Sequence, residues 1–329
     1  MSDRLSEFHK YLHHSIRIKD IDPAHEMLRY VCDRFELNNE QRYWLAFLYA
    51  LCYCGPTVFY IYNELPDYEN LDSGRMTRWW YGGGREASIF QTDARWRRSR
   101  NQVVDAIESY RRWVGKKTQE EHFAQIATGD TPEKRYNQVY RQAKGLYTLG
   151  QFSLFNYIES LHTITPLDLC PTDLNLDDSW SPRDGLLYAY GLDHHIRDAA
   201  VPIPPEAKAD VSRIWSDLRS QLAILENPPS VWAIETILCA FRKYQRTLEG
   251  KAGALGKRWV GYYLDRQADE IAQMQARVQH GVSWNVLWQY RKETYLSSVL
   301  AENNDGMWSA RGRPKWQAAQ LNRTKEMLA

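Results

Sequence analysis

Cysteine, phenylalanine, net charge and long apolar runs are all scarce in this chain, and each shortage removes a class of protein. The five cysteines, Cys32, Cys52, Cys54, Cys170 and Cys239, include no CxxC pair. An odd, scattered set reads as reduced thiols, neither a disulfide frame nor a zinc knuckle. Lys and Arg total 42 against 41 Asp and Glu, a formal net charge of +1. The molecule as a whole is therefore no electrostatic sponge for nucleic acid, and any such contact must come from local patches. The most apolar stretch, YWLAFLYALCYC (43–54), stops at Gly55-Pro56 and is too short to span a bilayer. The N-terminal MSDRLSEFHKYLHHSIRIKD lacks the apolar run of a secretory signal. The expectation is a soluble intracellular protein with no membrane partner.

Familiar catalytic motifs are missing too. GKAGALGKRW has Lys251 where a Walker A loop needs its first glycine and Arg258 where it needs Ser or Thr. The glycines at 82–84 do not make GxGxxG, and no GxSxG elbow occurs. The pairs His13-His14 and His194-His195 diverge on a helix, and there is no HExxH, so no residue is read as a metal ligand. A kinase, a Rossmann enzyme and a zinc hydrolase are all disfavoured.

What is present is aromatic and helical. Thirteen tryptophans and 21 tyrosines stand against nine phenylalanines. Each brings an apolar body and a polar tip, suited to a helical core or to stacking on bases. Apolar spacing of the helical kind dominates and strand alternation is hard to find. It predicts helices over about 39–63 with a break near Gly55-Pro56, 92–114, 150–162, 182–190, 230–247 and 256–279, among others. Asn38 is the expected N-cap of the first of these. LPDYENLDSGRM and YGGGRE read as loops on either side of Trp79-Trp80, and the acidic stretch 164–184 reads as irregular. The fold class is all-α, one large helical domain. Its expected parts are an N-terminal helical extension (1–37), a helical catalytic domain (38–280) and a C-terminal helical segment with a basic tail (281–329).

The stretch QTDARWRRSR (91–100) packs four arginines beside one aspartate. On a helix, Arg100 falls within the stripe of Trp96, Val103, Ile107, Tyr110 and Val114, and Asp93 lies at its edge. Arg98, Asp105 and Arg112 point the opposite way. An inward pair, Asp93 with Arg100, has two readings: a structural salt bridge, or the lining of a polar pocket in which Arg forks meet phosphate. The pattern recurs in GKRWVGYYLDRQADEIAQM, where Trp259, Tyr262, Tyr263, Arg266 and Glu270 share a face, and in GQFSLFNYIESLHTI, where Glu159 and His162 accompany Phe152 and Phe155. Between Arg242 and Arg258 six basic residues face one acid, Glu249, and the tail SARGRPKWQAAQLNRTK adds five more. Such runs are usually solvated faces; interleaved with Trp and Tyr they also suit a phosphate backbone.

In order along the chain, FQTDARWRRSRNQVVDAIESY, FSLFNYIESLH, SPRDGLLYAYGLD and LCAFRKYQ…KRWVGYYLDRQADEI resemble the bacteriophage amino acid:DNA transferases, also described as α-glutamyl/putrescinyl-thymine pyrophosphorylases. The resemblance covers roughly residues 40–275 and rests on the joint presence of these segments. It implies an enzyme of the infected bacterial cytoplasm. That enzyme would replace the phosphate or pyrophosphate on 5-hydroxymethyluracil in double-stranded DNA with an amine, an amino acid or a polyamine. It also implies a distant kinship with helical DNA glycosylases, although no LPGxGxxTA-like hairpin is present.

Under that resemblance Arg95, Arg100, Arg183 and Arg266 are the candidates for the leaving phosphate. Asp93, Asp265 and Glu159 are candidates for the base that deprotonates the amine. Trp79, Trp80, Tyr262 and Tyr263 are candidates for base stacking, and Lys251, Lys257 and Arg258 for DNA contact. No cofactor is required, beyond a magnesium ion that the leaving phosphate can carry. The oligomeric state stays open. Two other readings stand beside it: a non-catalytic helical DNA-binding protein, and a glycosylase-like hydrolase.

Overall fold

The structure, a computed structural model, describes residues 3–91, 99–174, 176, 179–196, 203–251, 258, 260–278, 280–291 and 293–294. Every regular element among the described residues is helical. In chain order the main helices are α1 (Asp3–Arg17), α2 (Pro23–Arg34), α3 (Asn39–Cys52), α4 (Gly55–Glu64), α5 (Ser73–Trp79), α6 (Val103–Val114) and α7 (Gln119–Ile126). There follow α8 (Pro132–Ala143), α9 (Gln151–Ile164), α10 (Trp180–Ala189), α11 (Pro205–Ala223), α12 (Val231–Leu248), α13 (Tyr262–Arg277) and α14 (Trp284–Arg291). None of the described helices is long and apolar enough to cross a membrane.

Two helix pairs organise the core. The first is α3 against α9. Every residue of α3 from Tyr43 to Cys52 is buried, as expected of a helix that is apolar all round. Its start is set by Asn38: the Asn38 carboxamide accepts from the Gln41 N–H at 3.0 Å and the Gln41 side chain accepts from the Asn38 N–H at 2.9 Å. Many of the aromatics gather here. Phe47 stacks on Tyr110 at 4.0 Å, and Tyr157 hydrogen-bonds Tyr110, whose hydroxyl donates to Gln119. Rings with a polar tip can be fully buried because each tip finds a partner.

The second pair is α10 against α12, with α1 laid across both. Their close approach depends on Gly185: a Cβ there would stand 2.0 Å from the Leu238 carbonyl oxygen. Backbone cannot retreat as a side-chain tip can. Gly185→Ala is therefore expected to cost about 2 kcal/mol or more, despite alanine's better helix propensity, and to lower the urea midpoint accordingly. An unchanged midpoint would mean that the two helices separate freely.

Helices α2, α4 and α14 pack on α13, and α2 also meets α9, so the N-terminal helices belong to the same core. The N-terminus of α13 is capped from outside its own strand of sequence. Buried Asp20 accepts from the N–H groups of Gly261 (2.8 Å) and Leu264 (3.0 Å).

Two expectations need correction. Residues 73–87 are helical where the sequence reads as loops: α5 is capped by Asp72 and continues through a π-turn, Trp80–Gly84, into Arg85–Ala87. Glycine permits this, since Gly83 has φ 145° and a Cβ on Gly84 would meet the Trp79 ring at 2.9 Å. Of the helix expected over 92–114, residues 92–98 lie outside the described residues; Ser99–Asn101 form a 3-10 turn and the α-helix runs from Val103 to Val114. Its apolar stripe, Val103, Ile107, Tyr110 and Val114, is buried as the spacing predicts. Phase is lost at the turn, so the direction of Arg100 cannot be extrapolated from that stripe.

Candidate active site

The first turns of α9 and α10, one face of α12 and the first turns of α13 enclose a cavity of about 580 Å³. Its walls carry Glu235, Thr236, Cys239 and Lys243 from α12, Tyr263 and Arg266 from α13, and Arg258, Tyr53, Ser99 and Thr148 from the connections. Gly150–Ser153 and Ser179–Pro182 bring two helix N-termini to the same space. The N-cap Gly150 has no side chain to cap α9, Ser179 makes no side-chain capping bond to α10, and the Gln151 carboxamide donates to Ser179 Oγ at 3.0 Å, tying the two ends together. Free N–H groups at a helix start favour an anion. Phe152 and Trp180 are 44% and 45% exposed and form an aromatic rim on the cavity.

Arg266 is held in place. Its Nε lies 3.0 Å from Glu270 one turn on, and its guanidinium sits over the rings of Tyr53 (4.9 Å) and Tyr263 (5.5 Å). Burial pushes the Glu270 carboxyl up to about 7 against the pull of Arg266. Arg258 stacks on Tyr262 with 3.9 Å between guanidinium carbon and ring centre.

Glu235, Cys239 and Lys243 recur every fourth residue, so α12 presents them as one stripe. Burial raises the Glu235 carboxyl to about 7, although the Cys239 thiol donates to it at 3.0 Å and Lys243 draws it the other way. A carboxyl at that value exchanges protons near neutrality, as a general base must. Burial also lowers the Lys243 ammonium and drives the Cys239 thiol far up, which makes Cys239 a poor nucleophile.

Of the residues singled out in the sequence, Arg266, Tyr263 and Arg258 come together on the cavity wall, with Tyr262 under Arg258. Asp93, Arg95 and Lys257 lie outside the described residues. The others stand elsewhere. Arg100 donates to the Arg85 carbonyl at 3.1 Å and approaches Glu86 at 3.5 Å. Arg183 is buried beside Asp184, which Arg242 also binds, and does not line the cavity. Trp80 is wholly enclosed, its indole N–H on the Arg100 carbonyl, and so cannot stack on a base. Trp79 packs on Tyr60, and exposed Lys251 pairs with Glu249. Asp265 is buried on α13 away from the cavity wall, and Glu159 is buried behind it.

Glu235, Cys239 and Lys243 escaped the sequence reading, as did the rim residues Trp180 and Phe152. The signal was the E-x-x-x-C-x-x-x-K spacing in an otherwise apolar helix, masked by counting Lys243 into a basic patch.

The family model described as Amino acid:DNA transferase matches residues 16–248. A protein named serinyltransferase, from Salmonella phage ViI, is 23% identical over 279 residues, which cover 80% of this chain and 66% of that one. The chain thus spans about two thirds of that relative's length. No solved structure matches significantly.

Proposed function

Since the chain belongs to the amino acid:DNA transferase family, we propose that it joins an amino acid to a modified thymine in phage DNA, at the α9–α10–α12–α13 cavity. The substrate is 5-hydroxymethyluracil bearing phosphate or pyrophosphate, in double-stranded DNA inside an infected bacterium. The observation that carries this reading is one cavity holding three cations, two helix N-termini and a carboxyl set near neutrality, beneath an aromatic rim.

The chemistry follows from those groups. A donor nitrogen bonds to the methylene carbon on C5 as the carbon–oxygen bond to phosphate breaks. The bonding pair leaves on the phosphate oxygen, and the proton shed by nitrogen passes to the Glu235 carboxylate. Arg266, Arg258 and the N–H groups of α9 and α10 stabilise the charge that develops on the leaving oxygens. A magnesium ion carried in on the phosphate would add to that stabilisation. Glu235 is buried and Arg266 largely so, so the base must leave the stack to reach them, and Trp180 and Phe152 stand where it would enter. With Lys243, Arg258 and Arg266 facing one acid among the lining groups, the cavity repels a polyamine and suits an amino acid, whose carboxylate meets the cations.

The test is direct. Purified protein is incubated with DNA containing phosphorylated or pyrophosphorylated 5-hydroxymethyluracil, together with amino acids and polyamines. The DNA is then digested to nucleosides and weighed by mass spectrometry. A nucleoside heavier by one amino acid is the expected product. A polyamine adduct would overturn the donor assignment, and unphosphorylated 5-hydroxymethyluracil alone would make the protein a hydrolase. Unchanged substrate would refute the activity.

A further inference from the structure

Behind the cavity wall lies a cluster that the transfer chemistry does not use. Asp22, His25 and Glu159 are each buried, and their donor atoms all lie within 4.8 Å of one another. His25 Nδ1 is 3.5 Å from Asp22 Oδ2 and 3.7 Å from Glu159 Oε1. The tautomer of His25 is set by its other nitrogen. The Ser160 hydroxyl donates to the Asn156 carbonyl at 2.8 Å, so its oxygen is left to accept from His25 Nε2–H at 3.0 Å. Nδ1 therefore carries a bare lone pair, and it has no hydrogen-bond partner although the residue is only 4% exposed. A buried lone pair aimed at two carboxylates is unfavourable unless something positive lies between them.

We propose that Asp22, His25 and Glu159 bind one divalent transition-metal ion of the zinc class, clamping α2 to α9 behind the cavity. Metal–ligand bonds of about 2.0–2.1 Å in a tetrahedral shell place neighbouring ligand atoms roughly 3.3 Å apart, near the 3.5 and 3.7 Å that separate His25 Nδ1 from the two carboxylates. One nitrogen with two carboxylates suits zinc, manganese or cobalt better than magnesium, which prefers an all-oxygen shell. This separates the site from any magnesium carried on the leaving phosphate.

The surroundings have the form of a ligand-orienting shell. Ser160 fixes the ring of His25, and the Tyr53 hydroxyl donates to Asp22 Oδ2 at 3.1 Å. Asp22 is the N-cap residue of α2, yet its carboxylate makes no capping bond and is turned to this cluster instead. Tyr53 also lines the cavity, so the cluster stands one hydrogen bond behind the wall.

The experiment needs no DNA, so it can fail independently of the transferase assignment. Full-length protein is stripped with a chelator, dialysed and titrated with Zn2+ by calorimetry, with bound metal counted by mass spectrometry. Cobalt(II) serves as a spectroscopic probe of the wild-type protein. One ion per chain is expected, with cobalt giving the intense visible bands of a four-coordinate site. Near-isosteric Glu159→Gln should weaken zinc at least 100-fold, and Ser160→Ala roughly 10–100-fold through the loosened imidazole. No uptake by folded wild-type protein would overturn the site and leave the cluster closed by shared protons. So would uptake that Glu159→Gln and His25→Gln leave unchanged, which would mark surface histidines as the binders.

Discussion

Arg266→Gln is expected to lower turnover by about 10²–10³-fold while affinity for DNA changes little, because a donor aimed at developing charge acts in the transition state and hardly at all in the ground state. The site is built to make that difference large. Arg266 is fixed by Glu270 at 3.0 Å and by the rings of Tyr53 and Tyr263, so no reorganisation is needed when charge develops on the leaving oxygens. Arg266→Lys keeps the charge but loses the planar fork and should fall between wild type and Gln.

The stability of these variants serves as a control. Stranding a buried charge commonly costs about 3–5 kcal/mol. Here the Glu270 carboxyl is already raised to about 7 with its partner present, so without Arg266 it takes up a proton at neutral pH and the loss should be smaller. The double variant Arg266→Gln, Glu270→Gln should be nearly as stable as the single one. Single-turnover rates and thermal midpoints read both effects. Wild-type turnover in Arg266→Gln would remove the leaving group from this cavity.

Glu235→Gln should abolish the base and cost about 10²–10⁴-fold in kcat. Its pH signature separates chemistry from packing. With the Glu235 carboxyl at about 7, the ionised form that accepts a proton fills in as pH rises, so wild-type activity should climb through neutrality and level off above it. The residual activity of Glu235→Gln should lack that limb. A merely structural Glu235 would leave the profile's shape intact.

The same shift bears on stability. A carboxyl raised on folding binds its proton more tightly in the native state than in the unfolded chain, so its contribution is present in full below the ordinary carboxylate range. That contribution is lost as pH rises to about 7. Glu235 and Glu270 both carry this sign, and wild-type protein should melt at lower temperature at pH 8 than at pH 5. Glu235→Gln should flatten part of that slope.

Much of the molecule was written locally. An all-α fold, the break at Gly55-Pro56, the Asn38 cap, the largely buried helices α3 and α9 and the Arg266–Glu270 face all follow from residue spacing within one helix. Such features depend on contacts three or four positions apart, which a sequence displays directly. The family resemblance was likewise carried by the order of short segments. The α5 extension was not legible, because glycines that signal a loop also permit a π-turn when a tryptophan ring packs against them.

The assembly of the site was decided only in three dimensions. Glu235 and Arg266 belong to different helices, and whether they share a cavity depends on how α12 and α13 pack, with Asp20, more than two hundred residues earlier, capping the second of them. Trp80 and Trp180 look alike as sequence, yet one is sealed in the core and the other stands at the rim. Asp22 and His25 meet Glu159 only because α2 lies against α9. Long-range juxtaposition leaves no periodic trace along the chain: the amino-acid order determined the helices and the kind of chemistry they can carry, and the packing of those helices determined which side chains meet to perform it.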